Sequence, residues 1–364
     1  MDEIVSLTER FKKYTSTFIG YPCNVANNFE DILDIFKYNI NNVGDPFSTS
    51  LYKSNTHHEE REILDYFADL WGIDHTKYWG YVTSSGTEGN LQGLFVGREV
   101  YPNAVFYTSA ESHYSLFKIA RLLKLHLCVI ATHENGEMNY DDFEIKLQSN
   151  LDKPVLINAN IGTTMKGATD NTREIYRILQ KYKKHHEYYL HMDGALMGFV
   201  MPFVEQDISF MRHAHSVSIS GHKFLGVPFP CGVFLMEQRF LNLIRNHIEY
   251  IGSNDCTIMG SRNGHSILML KYILRKYSKP EFLQMIHQCF KNAEYIIDQI
   301  EEKYPDLKPW RNQNSITVVI KRPREEIIQK WQLATQDNIS HIVVMPHVTR
   351  DKIEQFLADL ATDN

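Results

Sequence analysis

From about residue 56 to residue 255, short runs rich in β-branched and aromatic residues alternate with longer runs of helical periodicity. HEEREILDYFADLWG places apolar side chains at Ile63, Leu64, Phe67 and Leu70, a helical spacing, and YWGYVT after it reads as a strand. TEGNLQGLFVGREV then predicts a helix and AVFYTS a strand, SLFKIARLLKL a helix and LCVIAT a strand, YDDFEIKLQSN a helix and PVLINANIGTT a strand. TREIYRILQKYKK and YYLHMDGAL repeat the unit, and HSVSIS and CGVFLM read as strands on either side of Lys223. Strands joined by helices of about 10 to 15 residues imply βαβ crossovers and a mostly parallel sheet in an α/β domain. The apolar runs lack clean alternation, as expected of strands covered on both faces. In such sheets, groups with a chemical task gather at the carboxyl ends of strands.

The pattern changes after Asp255. SILMLKYILRKYS and FLQMIHQCFKNAEYIIDQIEEKY predict long helices, and SITVVIK, IIQKWQLAT, HIVVMPH and DKIEQFLADL complete a small α+β C-terminal domain over 256–364. Residues 1–55, with the turn-rich YPCNVANNFEDI and NNVGDPF, read as a segment without its own core: an arm on a partner subunit, or a flap on its own domain. The large domain is expected over 56–255, joined to its neighbour by a helix, because no Gly/Ser-rich linker divides the chain.

At 364 residues and 43% hydrophobic, the chain is long enough to bury two cores. A net charge of −6 with no long basic run argues against a nucleic-acid partner. MDEIVSLTERFKK lacks the apolar core of a signal peptide, and GALMGFVMPFV and SILMLKYIL are too short to cross a bilayer, so no membrane partner is expected. Cys23, Cys128, Cys231, Cys256 and Cys289 are odd in number and not closely paired, which fits reduced thiols and a cytoplasmic location. The 17 histidines include His57-His58, His185-His186 and His213-x-His215, but no metal-ligand spacing accompanies them, and no metal is expected.

Four features fall at predicted strand ends. TSSGTEGN, Thr83 to Asn90, turns a strand into a helix whose first N–H groups and dipole suit an anion, most naturally phosphate; Ser with a nearby Glu is equally an ordinary helix cap. Asp193 in HMDGAL ends an apolar strand, where a carboxylate is costly without a positive partner; a turn or N-cap role is the alternative. His113 in ESHYSLFK lies between strand and helix, placed to stack on a flat ring, to move a proton, or simply to cap. Lys223 in SISGHKFLGVPFPCG is either a nucleophilic amine or a side chain reaching for water. Together a phosphate cradle, a buried acid, a ring-stacking imidazole and an amine nucleophile are the needs of one cofactor, pyridoxal 5'-phosphate.

The chain resembles the group II pyridoxal-phosphate-dependent amino-acid decarboxylases, and within them the short branch of bacterial-type histidine decarboxylases and plant-type serine decarboxylases. The resemblance runs from about Tyr21 to the C-terminus through GYP, NNVGDPF, YWGYVTSSGTEGN, GREVYP, ESHYS, NIGTT, HMDGAL, SGHK, PCG, GSRNGH, WQLAT and IVVMP. It implies the fold type I, aspartate-aminotransferase-like architecture, with a mostly parallel sheet of the seven-stranded type, and a homodimer with sites at its interface. It implies that Lys223 holds the cofactor as a Schiff base, Asp193 pairs with its ring nitrogen, His113 stacks on the ring and Ala195 touches the other face. Ser85, Gly86 and Thr87, helped by Ser220 and His222, would hold the phosphate, and Thr163 would lie near the ring edge and the substrate carboxylate. Tyr250 falls where related enzymes carry a tyrosine that reprotonates the substrate, and GSRNGH, around Ser261, would reach the neighbour's phosphate site. Related sequences usually carry Asn with Gly or Cys where Ser84 and Ser85 stand here, a departure expected to alter cofactor affinity at most.

The implied activity is release of CO2 and a primary amine from an L-amino acid. GDPF, HMDGAL, SVSISGHKF and TIMGSRNGH favour L-serine and ethanolamine, whereas WRNQNSITVV favours L-histidine and histamine. The entrance to the pocket is expected from Asp45 to Tyr52 with His57. Another amino acid, a pyridoxal-phosphate transaminase or sulfur-transfer enzyme, and a non-catalytic scaffold are the competing readings; CO2 against keto acid as product separates the enzymes, and absence of the cofactor's absorbance would mark the scaffold.

Overall fold

The structure, a computed structural model, describes residues 2–205 and 213–361. The chain forms two compact units: Asn28–Thr164 with Ala168–Ser278, and Met1–Asn27 with Met165–Gly167 and Lys279–Asn364. The amino-terminal segment is therefore shared between them, helix α1 (Asp2–Ser16) belonging to the smaller unit, and the second boundary lies at Ser278 rather than Asp255.

In the larger unit, short strand β1 (Asn41–Val43) and helix α2 (His57–Leu70) precede the main sheet. Its strands are β2 (Tyr78–Thr83), β3 (Val105–Ser109), β4 (His126–Ile130), β5 (Val155–Asn160), β6 (Tyr188–Asp193), β7 (Ser216–Ser220) and β8 (Gly232–Glu237), in the order β2-β8-β7-β6-β5-β3-β4. Strand β8 is antiparallel to both of its neighbours, and every other pairing is parallel. Every residue of β2, β3, β5 and β7 is buried, whereas edge strand β4 is largely accessible, so alternation is missing where helices cover both faces.

The crossover helices are α3 (Gly86–Val100), α4 (Tyr114–Leu122), α5 (Tyr140–Gln148) and α6 (Thr172–Lys181). Their starts are written locally: Ser85 caps α3 by accepting from the Glu88 N–H, Asn139 caps α5, and Asn171 caps α6. Helix α3 lies directly on β6 and β7 because Gly86, Gly89, Gly93 and Gly97 share one face. A Cβ at Gly89 would stand 2.1 Å from Ser218 Oγ, and one at Gly93 would stand 2.2 Å from the His191 ring.

After the four-residue α7 (Met201–Val204), β9 (Asn246–Ile248) and β10 (Ser253–Asp255) form a hairpin, and β11 (Ser261–Asn263) returns to pair with β1. Helix α8 (Gly264–Lys276) ends the larger unit. The smaller unit contains the long α9 (Lys279–Lys303) and α10 (Glu325–Trp331), and it closes with α11 (Arg350–Ala361). Its antiparallel sheet runs in the order β12-β14-β13 (Thr317–Lys321, Ile339–Val343, Ala334–Gln336). This is the α+β composition expected from the sequence.

Candidate active site

Thr83, Ser109, Asn160, Asp193 and Ser220 all end strands on one edge of the main sheet, and Gly232 opens β8 at that edge opposite both Thr83 and Ser220. The edge thus collects residues that lie far apart in the chain.

The turn after β2 combines a cap with a cradle. Glu88 accepts from the Ser84 N–H and Ser84 Oγ, both at 2.6 Å, and Ser85 Oγ accepts from the Glu88 N–H at 3.3 Å, a reciprocal capping arrangement. The cap leaves the first N–H groups of α3, at Gly86 and Thr87, at the helix's positive end. A Cβ at Gly86 would stand 2.8 Å from Ser220 Oγ and 3.1 Å from the Ala195 Cβ, so Gly86, Ala195 and Ser220 face one small space. Ser220 is 2% exposed, and its hydroxyl has no hydrogen-bond partner among the described residues. A buried hydroxyl left unmet is costly unless something else completes it.

Asp193, buried at the end of β6, accepts from Asn90 Nδ2 at 2.8 Å and from the Ala195 N–H at 3.1 Å. Asn90 Oδ1 lies 3.0 Å from His191 Nε2, and His191 Nδ1 lies 2.9 Å from Ser216 Oγ. Burial pushes the His191 imidazole down to about 4, so the ring is neutral near pH 7.

His113 caps α4, its Nδ1 accepting from the Ser115 N–H at 3.3 Å and lying 2.7 Å from the Ser115 hydroxyl. The neutral ring therefore keeps its proton on Nε2. Burial lowers its pKa first of all; the Asp193 charge opposes this and the Lys223 charge reinforces it, so all three groups belong to one electrostatic neighbourhood. Thr163 is buried in the turn after β5, where its hydroxyl accepts from the Ala168 N–H at 3.0 Å. Asp170 lies beneath, accepting from the Asn160 and Met138 N–H groups and from Asn160 Nδ2, and burial raises its carboxyl to about 6.

The half-buried His222 is pinned to the start of β8, its Nδ1 lying 2.9 Å from the Cys231 carbonyl oxygen and 3.2 Å from the Cys231 nitrogen. Burial lowers its pKa, and the adjacent Lys223 charge does so to a smaller extent. Lys223 is half-buried in the turn that Gly226 closes at φ +66°. One strand edge therefore presents an anion cradle, a carboxylate, an imidazole and an amine.

The model of the pyridoxal-dependent decarboxylase conserved domain matches residues 92–318. The chain belongs to this decarboxylase family. It is 42% identical over 358 residues to serine decarboxylase 1 of Oryza sativa subsp. japonica, covering 98% of this chain and 73% of that one. It is 41% identical over 361 residues to histidine decarboxylase of Solanum lycopersicum, covering 98% and 86%. Its fold matches L-methionine decarboxylase of Streptomyces sp. 590 with a TM-score of 0.90 at 24% identity, covering 99% of this chain and 94% of that one. A glutamate decarboxylase of Lactobacillus brevis matches with a TM-score of 0.82 at 16% identity, covering 99% and 90%. The protein is a carboxy-lyase that uses pyridoxal phosphate, with the fold type I architecture expected of it.

The decarboxylase's own residues fit that cofactor: an unpartnered Ser220 hydroxyl beside helix N–H groups suits a phosphate, and a buried carboxylate held by neutral donors suits a cationic ring nitrogen. Ser84 and Ser85 are both engaged in the cap of α3, so the departure noted at these positions is absorbed by the helix start. Among the described contacts, none joins Tyr250 to this cluster; it is 86% exposed in a 3-10 turn (Glu249–Ile251). Asp45, grouped with the pocket entrance in the sequence reading, is buried and accepts from the Phe47 N–H and Trp79 Nε1, so it holds its loop in place. His57 is buried as well, and burial takes its pKa to about 4, whereas Phe47, Leu51 and Tyr52 are exposed. Asn90, His191 and Ser216 escaped the sequence reading; the glycine spacing in GTEGNLQGLFVG was the available sign that one face of α3 touches β6 and β7.

Proposed function

We propose that this decarboxylase converts L-serine to CO2 and ethanolamine. The observation that carries the substrate is the 42–43% identity to three rice serine decarboxylases over 93–98% of the chain. L-histidine is the second reading, supported by 38–41% identity to histidine decarboxylases over a similar span.

In this reading Lys223 holds the cofactor's aldehyde carbon, Asp193 its ring nitrogen, and His113 and Ala195 the two faces of the ring. Ser85, Gly86, Thr87, Ser220 and His222 hold the phosphate, and Thr163 lies at the ring edge near the substrate carboxylate. Pyridoxal phosphate, when bound, supplies an electron-accepting ring that stabilises the charge left at the α-carbon as CO2 departs. The protein's own groups orient and manage protons. Asp193, fixed by Asn90 and the Ala195 N–H, offers an acceptor that favours a protonated ring nitrogen. His113, held through Nδ1, presents its protonated Nε2. The resemblance assigns the return of a proton to the substrate's α-carbon to Tyr250, which is exposed and stands apart from the cluster formed within this chain.

The enzyme works as a homodimer with its sites at the interface, a reading supported by the exposed apolar side chains Phe47, Leu51, Tyr52, Tyr250 and Met259, all within the larger unit. In it Ser261 reaches the neighbour's phosphate site. The five free cysteines fit the cytoplasm.

The deciding experiment incubates the holoenzyme separately with L-serine, L-histidine and aromatic amino acids and measures CO2 and amine. Ethanolamine from serine is expected; histamine as the main product moves the assignment to the second reading. Replacing Lys223 with Ala should abolish both turnover and the cofactor's characteristic absorbance, and a variant keeping both would overturn the site.

A further inference from the structure

Asn90 sits on α3 and His191 inside β6, 101 residues apart in sequence, yet both are buried and joined side chain to side chain. The proton directions along this line follow from chemistry. Ionised Asp193 only accepts, so the group facing it at 2.8 Å is the Asn90 amide nitrogen. That leaves Asn90 Oδ1 as an acceptor, which requires the proton on His191 Nε2. His191 Nδ1 is then bare and takes the Ser216 hydroxyl proton. The chain of donors runs one way, from Ser216 through His191 and Asn90 to Asp193. The ring of His191 is wedged against α3, where any side chain at position 93 would displace it.

We infer that Asn90 and His191 are positioning residues for the cofactor: His191 fixes which end of the Asn90 amide faces Asp193, and Asn90 with the Ala195 N–H stops the carboxylate from rotating. Each Asp193 oxygen is thereby held by one donor and keeps capacity for another partner. Without the His191 donor the Asn90 amide is free to turn its oxygen toward Asp193, and two acceptors would face each other. This inference rests on the reading that Asp193 pairs with the ring nitrogen of pyridoxal phosphate.

The test measures the cofactor dissociation constant by equilibrium dialysis of the holoenzyme, with thermal melting to establish that each variant is folded. His191→Phe, which keeps a ring without a donor, and Asn90→Leu should each weaken binding about ten- to hundredfold, the worth of one hydrogen bond to a charged group. His191→Gln, which restores an N–H to Asn90, should recover most of that loss; a purely space-filling role would favour Phe over Gln. In an Asp193→Ala background, Asn90→Leu should add less than about twofold, because the residue acts through the carboxylate. Equal effects of Asn90→Leu with and without Asp193 would overturn the inference, and so would wild-type affinity in His191→Phe. If Asp193→Ala itself binds the cofactor as tightly as wild type, the reading of Asp193 fails instead.

Discussion

Two of the polar clusters buried in the larger unit, both in contact with α3 or β2, are built on opposite terms. In the first, Glu60 of α2 is fully buried and meets Arg262 of β11 in an ion pair, with further bonds from Asn42 Nδ2 and the Val82 N–H. Arg262 also donates to the Gly44 carbonyl and lies 5.3 Å from the Tyr81 ring centroid. In the second, the donors described for Asp193 are neutral, and the Ser220 hydroxyl nearby has no partner among the described residues. The first cluster balances its charges within the fold and ties β1, β2, α2 and β11 together, leaving one donor, Arg262 Nε, without a partner among the described residues. The second leaves acceptor capacity and a bare hydroxyl on a strand edge, which is how a fold prepares for a charged ligand rather than for its own stability.

Removing one carboxylate from each cluster should break the comparison most sharply. Asp193→Asn should lower kcat/KM about 10²–10³-fold, in the range of a lost electrostatic partner, while unfolding free energy stays within about 1 kcal/mol of wild type. Glu60→Gln should do the reverse, costing about 3 kcal/mol of stability because Arg262 is left buried without its counter-charge. Denaturant unfolding and steady-state amine production, run on both proteins, separate the two outcomes. If Asp193→Asn proves the more destabilising, the division between structural and functional clusters does not hold.

How far the sequence discloses these clusters follows from their contacts. Lys223, Asp193 and His113 stand at the ends of runs whose strand character is plain, so position alone marks them. His191 stands mid-strand in YYLHMD, where a polar residue carries no sign of its partner, and Asn90 lies 103 residues from Asp193. Only the crossover that lays α3 over β6 and β7 brings them together, and the small residues on one face of α3 are its trace. The Glu60–Arg262 pair, 202 residues apart, likewise depends on β11 returning to β1. The amino-terminal segment reads as one piece in the sequence but is divided at Asn27, because its two parts bond to different distant stretches: the Ile19 carbonyl accepts from the Val343 N–H, whereas β1 pairs with β11.

A smaller effect concerns pH. Burial holds His57, His191 and His347 down to about 4 and His215 to about 3, all below the ordinary value of 6.5. The unfolded chain therefore binds more protons than the native one between these values. Stability present above pH 6.5 is lost as the pH falls toward 4, by about 1.4 kcal/mol per pH unit for each such histidine. His191→Gln should reduce this slope by one proton, read from chemical denaturation at a series of pH values. An unchanged slope would mean that the imidazole is protonated in the native state, so that Nδ1 donates to Ser216 Oγ while the donation from Nε2 through Asn90 to Asp193 stands.

The smallest expected change is at Ser220, and there the sign matters more than the size. A hydroxyl 2% exposed with no partner carries a desolvation cost in the cofactor-free protein. Ser220→Ala removes that cost, so the cofactor-free variant should be as stable as wild type or more stable, by up to about 1 kcal/mol. The same change should weaken pyridoxal phosphate binding several-fold, because the hydroxyl shares its space with Gly86 at the start of α3. Melting temperatures of the cofactor-free and cofactor-bound forms should thus move in opposite directions. A group retained for packing would lower both, and a group irrelevant to the phosphate would leave the bound form unshifted relative to the free one. Opposed shifts are the outcome that only a residue kept for its ligand produces.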